Sequence, residues 1–101
     1  MVNKNSKIYL AGHNGHLGSA ILRNLKNKGY KKVIVIEKKK LNLLDQKKVF
    51  DFLKKNKPKY VIVAAARVGG VYANNTFRGK FIYENLQIQN NLIHGSFLNG
   101  I

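Results

Sequence analysis

Cysteine and tryptophan are missing from this chain, proline occurs once, and only four of its 101 residues are acidic. Without cysteine there are no disulfides, thiolate ligands or thiol nucleophiles, which fits a cytoplasmic protein. The four acids are Glu37, Asp45, Asp51 and Glu84. Asp45 and Asp51 lie six residues apart and do not share a helix face, so no carboxylate pair for acid–base chemistry is evident. Long apolar runs are missing too. No segment approaches the ~20 residues that span a bilayer, and no apolar stretch of a secretion signal follows the first lysines. No membrane partner is expected. The length bounds the chain to one small domain at most, and no repeat or linker interrupts it.

Positive charge, by contrast, is abundant. The formal net charge is +15, and 16 of the 19 basic residues are lysine. The lysines are scattered over helix faces and loops, little arginine is present to read base edges, and no aromatic residue interleaves with the longest run. We read this as a solvated basic surface rather than a nucleic-acid site. The histidines do not suggest a metal centre: His13 and His16 share a glycine turn where a metal would compete with phosphate, and His94 stands alone. Ser6, Ser19 and Ser96 have no nearby base.

The most informative stretch is Lys7-Ile8-Tyr9-Leu10-Ala11-Gly12-His13-Asn14-Gly15-His16-Leu17-Gly18-Ser19-Ala20. It reads as a strand, a turn with glycines at positions 12, 15 and 18, and the first turn of a helix. A dinucleotide-binding β-α unit begins in this way. Gly12 lets the chain leave the strand sharply. Gly15 lets the backbone approach a pyrophosphate, and Gly18 lets the helix pack closely. Free N–H groups and the helix dipole would then face the diphosphate.

Strand and helix signals alternate along the rest of the chain. Leu17, Ala20, Ile21 and Leu25 form a helical stripe expected to lie on a sheet, with Lys26 and Lys28 in the last turn and Gly29 ending the helix. Val33-Ile34-Val35-Ile36 suits a strand buried on both faces. Leu41–Asp45 is expected to add a minimal strand, with Asp45 capping a helix that carries Val49, Phe50 and Leu53 and stops before Lys57-Pro58. Tyr60–Ala66 is a third strand and 67–77 a loop. A long helix from about 79 to 98 carries Ile82, Leu86, Ile93 and Phe97 on one face. Such alternation predicts an α/β fold, a doubly wound parallel sheet forming part of a Rossmann fold, with the 7–12 strand between those at 33–37 and 60–66.

The end of the second strand bears on cofactor choice. An acid there suits a ribose 2′-hydroxyl, and a basic residue suits a 2′-phosphate. Glu37, 19 residues after Gly18, offers the first, and Lys38-Lys39-Lys40 the second. NAD and NADP both remain open on these residues.

Five motifs then occur together in order: Gly12–Ala20, Leu41-Asn42-Leu43-Leu44-Asp45, Ala64-Ala65-Ala66-Arg67-Val68-Gly69-Gly70, Ala73-Asn74-Asn75-Thr76 and Phe81-Ile82-Tyr83-Glu84-Asn85. In these the chain resembles the GDP-L-fucose synthase family, which are extended short-chain dehydrogenases. The resemblance covers nearly the whole chain and implies an NADPH-dependent epimerase/reductase of nucleotide sugars. It implies that Gly12, His13, Asn14, Gly15, His16, Leu17 and Gly18 hold the pyrophosphate. Asn42 and Leu43 would lie near the adenine, Ala64, Ala65 and Ala66 beside the nicotinamide ribose, and Asn85 would brace the long helix. The family often has arginine in place of Asn14 and a basic residue in place of Ile36, both toward the 2′-phosphate; here Lys38 is the candidate substitute. Gly79-Lys80 replaces a small-acidic pair, and nothing explains that change.

The resemblance also marks what these residues do not contain. Short-chain dehydrogenases use a tyrosine acid with a lysine four residues later. The five tyrosines here are followed at that spacing by His13, Ile34, Ala64, Thr76 and Gln87. The expectation is that 1–101 corresponds to the amino-terminal third of the enzyme, truncated after the long helix, with the substrate domain absent and no catalysis of its own. The rival reading is a non-catalytic interaction module. The strand at 60–66, interior in the family, would become an edge prone to self-association.

Overall fold

A four-residue apolar run, Ile8-Tyr9-Leu10-Ala11, is buried along its whole length, and the sheet is built around it. The computed structural model describes residues 3–65 and 78–101, the side chain of Arg78 excepted. Among the described residues six elements follow in order: β1 (Ile8–Ala11), α1 (His16–Asn27), β2 (Val33–Ile34), α2 (Gln46–Asn56), β3 (Tyr60–Val63) and α3 (Arg78–Leu98). Among the described residues the sheet has three strands in the order β2-β1-β3, all parallel. Ile8 pairs with both Val33 and Tyr60. The open α/β sheet and the central place of β1 agree with the sequence reading. No helix of the described residues is long and apolar enough to cross a membrane.

The two crossovers leave β1 and β2 in opposite directions across the sheet. Right-handed connection therefore sends α1 to one face and α2 to the other. Side-chain alternation along β1 supplies both faces. Tyr9 and Ala11 join Leu41, Val49, Leu53, Ile88 and Leu92 in the main core, on the side of α2 and α3. Ile8 and Leu10 point to the opposite side, where α1 packs along β1.

Several local expectations change. β2 is only two residues long and half-buried, not a four-residue strand buried on both faces. Among the described residues it pairs with β1 alone, so its outer backbone gains no ladder that would prolong it. β3 ends at Val63, although the Ala64 N–H still donates to the Ala11 carbonyl at 2.8 Å; Ala66 and the 67–77 loop lie outside the described residues. Leu41–Asp45 is a turn, not a strand. The Asn42 Oδ1 accepts from the Leu44 N–H at 3.0 Å, and its carbonyl accepts from the Asp45 N–H at 3.0 Å. A side chain that bonds its own backbone in this way draws it out of a ladder. Asp45 caps α2 as expected, its Oδ1 accepting from the Lys48 N–H at 3.1 Å.

The apolar stripe expected on α1 is covered only in part, and the one expected on α3 faces outward. On α1, Leu17 is 64% exposed and Ala20 is exposed, while Gly18 is buried and Ile21, Leu22 and Leu25 are half-buried. Gly18 must face the backbone of the glycine turn, and this contact orients the helix. On α3, Ile82, Leu86, Ile93 and Phe97 do share a face, but it is the outer one. Glu84, Ile88, Asn91, Leu92 and Gly95 face inward. Gly95 admits Leu53 and Phe50 so closely that a Cβ there would lie 2.9 Å from each. Asn91 donates to the Leu43 carbonyl at 2.8 Å, tying α3 to the turn before α2.

These packings separate two leucines. Leu53→Ala should cost about 2–5 kcal/mol, because it empties a fully buried site between α2 and α3. Leu17→Ala should stay within about 0.5 kcal/mol despite its place in the predicted stripe. Urea unfolding of the two variants checks both.

Candidate functional site

The loops leaving all three strands meet at the carboxyl edge of the sheet. In an open α/β sheet, that edge forms a crevice where the chain turns to opposite sides. Here β1 lies between β2 and β3, with α1 and α2 on opposite faces, so the crevice opens directly above β1. It holds a cavity of about 260 Å³.

The first wall is the glycine turn. Gly12 has φ +90°, and a Cβ there would lie 2.5 Å from the Ala65 backbone nitrogen. Both the dihedral and the close approach of the chain after β3 therefore require glycine. Gly18 presses on the Gly12 carbonyl from the start of α1, leaving no room for a side chain. Gly15 differs: it has extended backbone, and a Cβ would meet nothing closer than the Gly12 oxygen at 3.9 Å. It is the N-cap of α1 and makes no side-chain cap hydrogen bond. Ser19 does not cap either, since its Oγ donates to the His16 carbonyl at 3.1 Å. The first turn of α1 contains no acid. This helix end presents N–H groups and positive dipole charge, the arrangement that favours an anion.

Of the residues singled out from sequence, Gly12, His13, Asn14, Gly15, Lys38, Asn42, Leu43, Ala64 and Ala65 line the cavity. His16, Leu17 and Gly18 do not; they form the first turn of α1 behind it. Ala66 lies outside the described residues. Sequence reasoning missed Tyr9, Leu41, Leu44 and Ile88, which line the cavity; Ile36, whose place the resemblance turned toward the 2′-phosphate, lines it too. Alternation along β1 places Tyr9 with Ala11 on the α2 side and was a usable signal. Ile88 carried none, because α3 is apolar on two sides.

Two electrostatic features mark the rim. Glu37 receives hydrogen bonds from Asn14, whose Nδ2 lies 3.1 Å from Oε2, and from His13, whose Nε2 lies 3.3 Å from Oε1. These donors, Asn14 foremost, hold its carboxyl below the ordinary range. Lys38 follows on the cavity wall. In the floor, burial pushes the Tyr9 hydroxyl up to about 12, so it keeps its proton at neutral pH. The Tyr9 ring packs edge-on to Phe52 with centroids 4.8 Å apart.

Comparison with known proteins gives this arrangement a context. The model of the NAD dependent epimerase/dehydratase family matches residues 8–101. The chain is 46% identical to GDP-L-fucose synthase 1 of Arabidopsis thaliana over 101 residues, all of this chain and 31% of that protein. It is 48% identical to the GDP-L-fucose synthase of Sinorhizobium fredii over 95 residues, 94% of this chain and 30% of that protein. Among solved structures, the GDP-mannoheptose C4 reductase MlghC of Campylobacter jejuni, with NADP bound, superposes with a TM-score of 0.94 at 44% identity. That match covers 100% of this chain and 32% of the reductase. The chain thus spans a little under a third of the length of these relatives.

The three glycines should respond differently to alanine. Gly12→Ala and Gly18→Ala should each lower the melting temperature clearly, since one meets a forbidden dihedral and both meet backbone. Gly15→Ala should leave stability within about 0.5 kcal/mol, as at an ordinary surface position. Thermal melts followed by circular dichroism distinguish these outcomes.

Proposed function

The chain belongs to the NAD dependent epimerase/dehydratase family, and from that premise we propose that it is the dinucleotide-binding part of an NADP(H)-dependent epimerase/reductase of nucleotide sugars, of the GDP-L-fucose synthase kind. One observation carries the reading: three strand-end loops converge on a cavity beside a helix N-terminus that no side chain caps. The GDP-L-fucose synthase relatives and the NADP-bound reductase support it.

In this reading the backbone of Gly12–Gly15 and the first turn of α1 receive the pyrophosphate. His16, Leu17 and Gly18 act through that helix end rather than through their side chains. Ile36, Asn42 and Leu43 form an apolar and amide-bearing wall for the adenine. Lys38 offers a cation to a 2′-phosphate at the rim. Ala64 and Ala65 give the nicotinamide ribose a surface without bulk. The bound cofactor supplies the hydride; this chain's residues bind, orient and shelter it. No tyrosine of residues 1–101 has the paired lysine four positions on, so these residues do not supply the tyrosine–lysine pair of such a reductase.

Residues 1–101 should bind NADPH saturably, read by enhanced nicotinamide fluorescence, without oxidising it when a 4-keto-6-deoxy sugar nucleotide is added. Steady turnover would overturn the division of labour proposed here. β3 pairs along one edge only among the described residues, and Val63 on it is 39% exposed. We therefore expect self-association through this edge, with sedimentation showing weight-average mass rising with concentration and falling when lysine replaces Val63.

A further inference from the structure

Along the chain the lysines look scattered, but three parallel strands all begin at one edge, and the fold gathers the residues that lead into them. Segments 3–7, 28–32 and 57–59 enter β1, β2 and β3. Seven of their thirteen residues are lysine, none is acidic, and every one of those lysines is exposed. Main-chain hydrogen bonds hold the segments side by side. The Lys31 N–H donates to the Lys4 carbonyl at 3.3 Å, the Ile8 N–H to the Lys32 carbonyl at 2.9 Å, and the Lys59 N–H to the Lys7 carbonyl at 2.8 Å. Both α1 and α2 run back to this edge, and their last turns add Lys26, Lys54 and Lys55. Lys7 is spent on the end of α2, its Nζ donating to the Asn56 carbonyl at 2.9 Å. The four side-chain carboxylates stand elsewhere. Glu37 is at the cavity rim, Asp45 caps the opposite end of α2, Asp51 pairs with Lys47, and Glu84 lies on α3.

We infer that this amino edge of the sheet is a docking surface for the phosphate backbone of a nucleic acid, bound without regard to base sequence. It lies at the opposite end of the strands from the cavity, so it stands independently of the dinucleotide reading. Neighbouring strands start about 4.8 Å apart. The cations of adjoining segments therefore face a row of anionic groups rather than a single one, and a polyanion fits that row. Lysine carries a compact point charge and lacks the planar fork with which arginine grips its partners. Contacts of this kind fix a backbone and carry no sequence information. Asn3 and Asn5, exposed beside Lys4, add amides of the type that bonds phosphate oxygens. A membrane surface is the poorer partner. The bulky apolar residues of these segments are Tyr30, half-buried, and Pro58, buried. No oily side chain therefore accompanies the charge, and stable anchoring takes a second signal beside a basic patch.

The test titrates fluorescein-labelled short DNA duplexes of two unrelated sequences with the chain over a range of salt, read by anisotropy. Two triple variants are compared with the unaltered chain. Lys31→Gln, Lys32→Gln and Lys59→Gln together strip the amino edge. Lys39→Gln, Lys40→Gln and Lys48→Gln together remove the same charge from exposed positions near the other end of the strands. The main-chain bonds of Lys31, Lys32 and Lys59 do not need their side chains, and unchanged melts by circular dichroism check that both triples fold. The unaltered chain should bind both duplexes alike. Each phosphate neutralised adds about 0.9 to the fall of log K with log salt. The amino-edge triple should therefore flatten that slope by about 2–3 units, and the control triple by less than about one. Equal losses in the two triples would overturn the inference, since the chain's overall field would then account for the binding. So would a failure of the unaltered chain to bind either duplex, or a clear preference between the two sequences. Tighter binding to phosphatidylserine-containing vesicles than to the duplexes, lost in the amino-edge triple, would give this edge to a membrane instead.

Discussion

Everything at the carboxyl edge depends on how closely three backbones approach one another just beyond β1. Gly12 touches the chain at Ala65, and Gly18 touches Gly12 in turn. With no Cβ at either position, the start of α1, the end of β1 and the exit of β3 are fixed against each other by main-chain atoms. Main chain cannot change rotamer to relieve a clash, so this junction is stiffer than any side-chain contact. The direction of α1, the position of its N–H groups and the mouth of the cavity all follow from it. The hydrophobic core on the other face, around Leu53 and Leu92, holds α2 and α3 to the sheet but does not set this geometry.

The sequence made the architecture legible because its strongest signals were local. Alternating apolar runs and helical stripes gave the order of elements, the parallel sheet and the central place of β1. The glycine spacing marked the turn at which the cavity opens. Nine of the thirteen residues singled out for the site line that cavity. The failures have physical causes. A β-branched run does not say whether both edges of a strand will find partners, so β2 was drawn too long. Asn42 could join a ladder or bond its own backbone, and the second option prevailed. On α3 close packing at Gly95 accompanies an oily face turned outward, and on α1 the contact at Gly18 leaves Leu17 and Ala20 exposed while Ile21 and Leu25 stay half-buried.

Scarcity of acid gives each carboxylate a defined post. Glu37 bridges two loops at the rim, Asp45 caps α2, and Asp51 pairs with Lys47 at 2.9 Å one turn away. Glu84, largely buried, lies 3.9 Å from Lys80. Few carboxylates remain to neutralise the lysines, so the chain's field is strongly positive. A polyanionic ligand would be drawn to such a surface from any direction. The bridged carboxylate of Glu37 sets one negative charge against that trend beside the cavity.

The long helix α3 leads to a different kind of consequence. It is oily on its outer face, where Ile82, Leu86, Ile93 and Phe97 are 59%, 54%, 63% and 75% exposed, and its inward face includes a glycine, an asparagine and a glutamate. Its orientation therefore depends on small and polar residues as well as on Ile88 and Leu92. Tolerance to mutation along this helix should not follow a hydropathy plot. The outer apolar positions are the permissive ones for folding, while Gly95 and Asn91, with Ile88 and Leu92 beside them, are where the fold keeps its bearings.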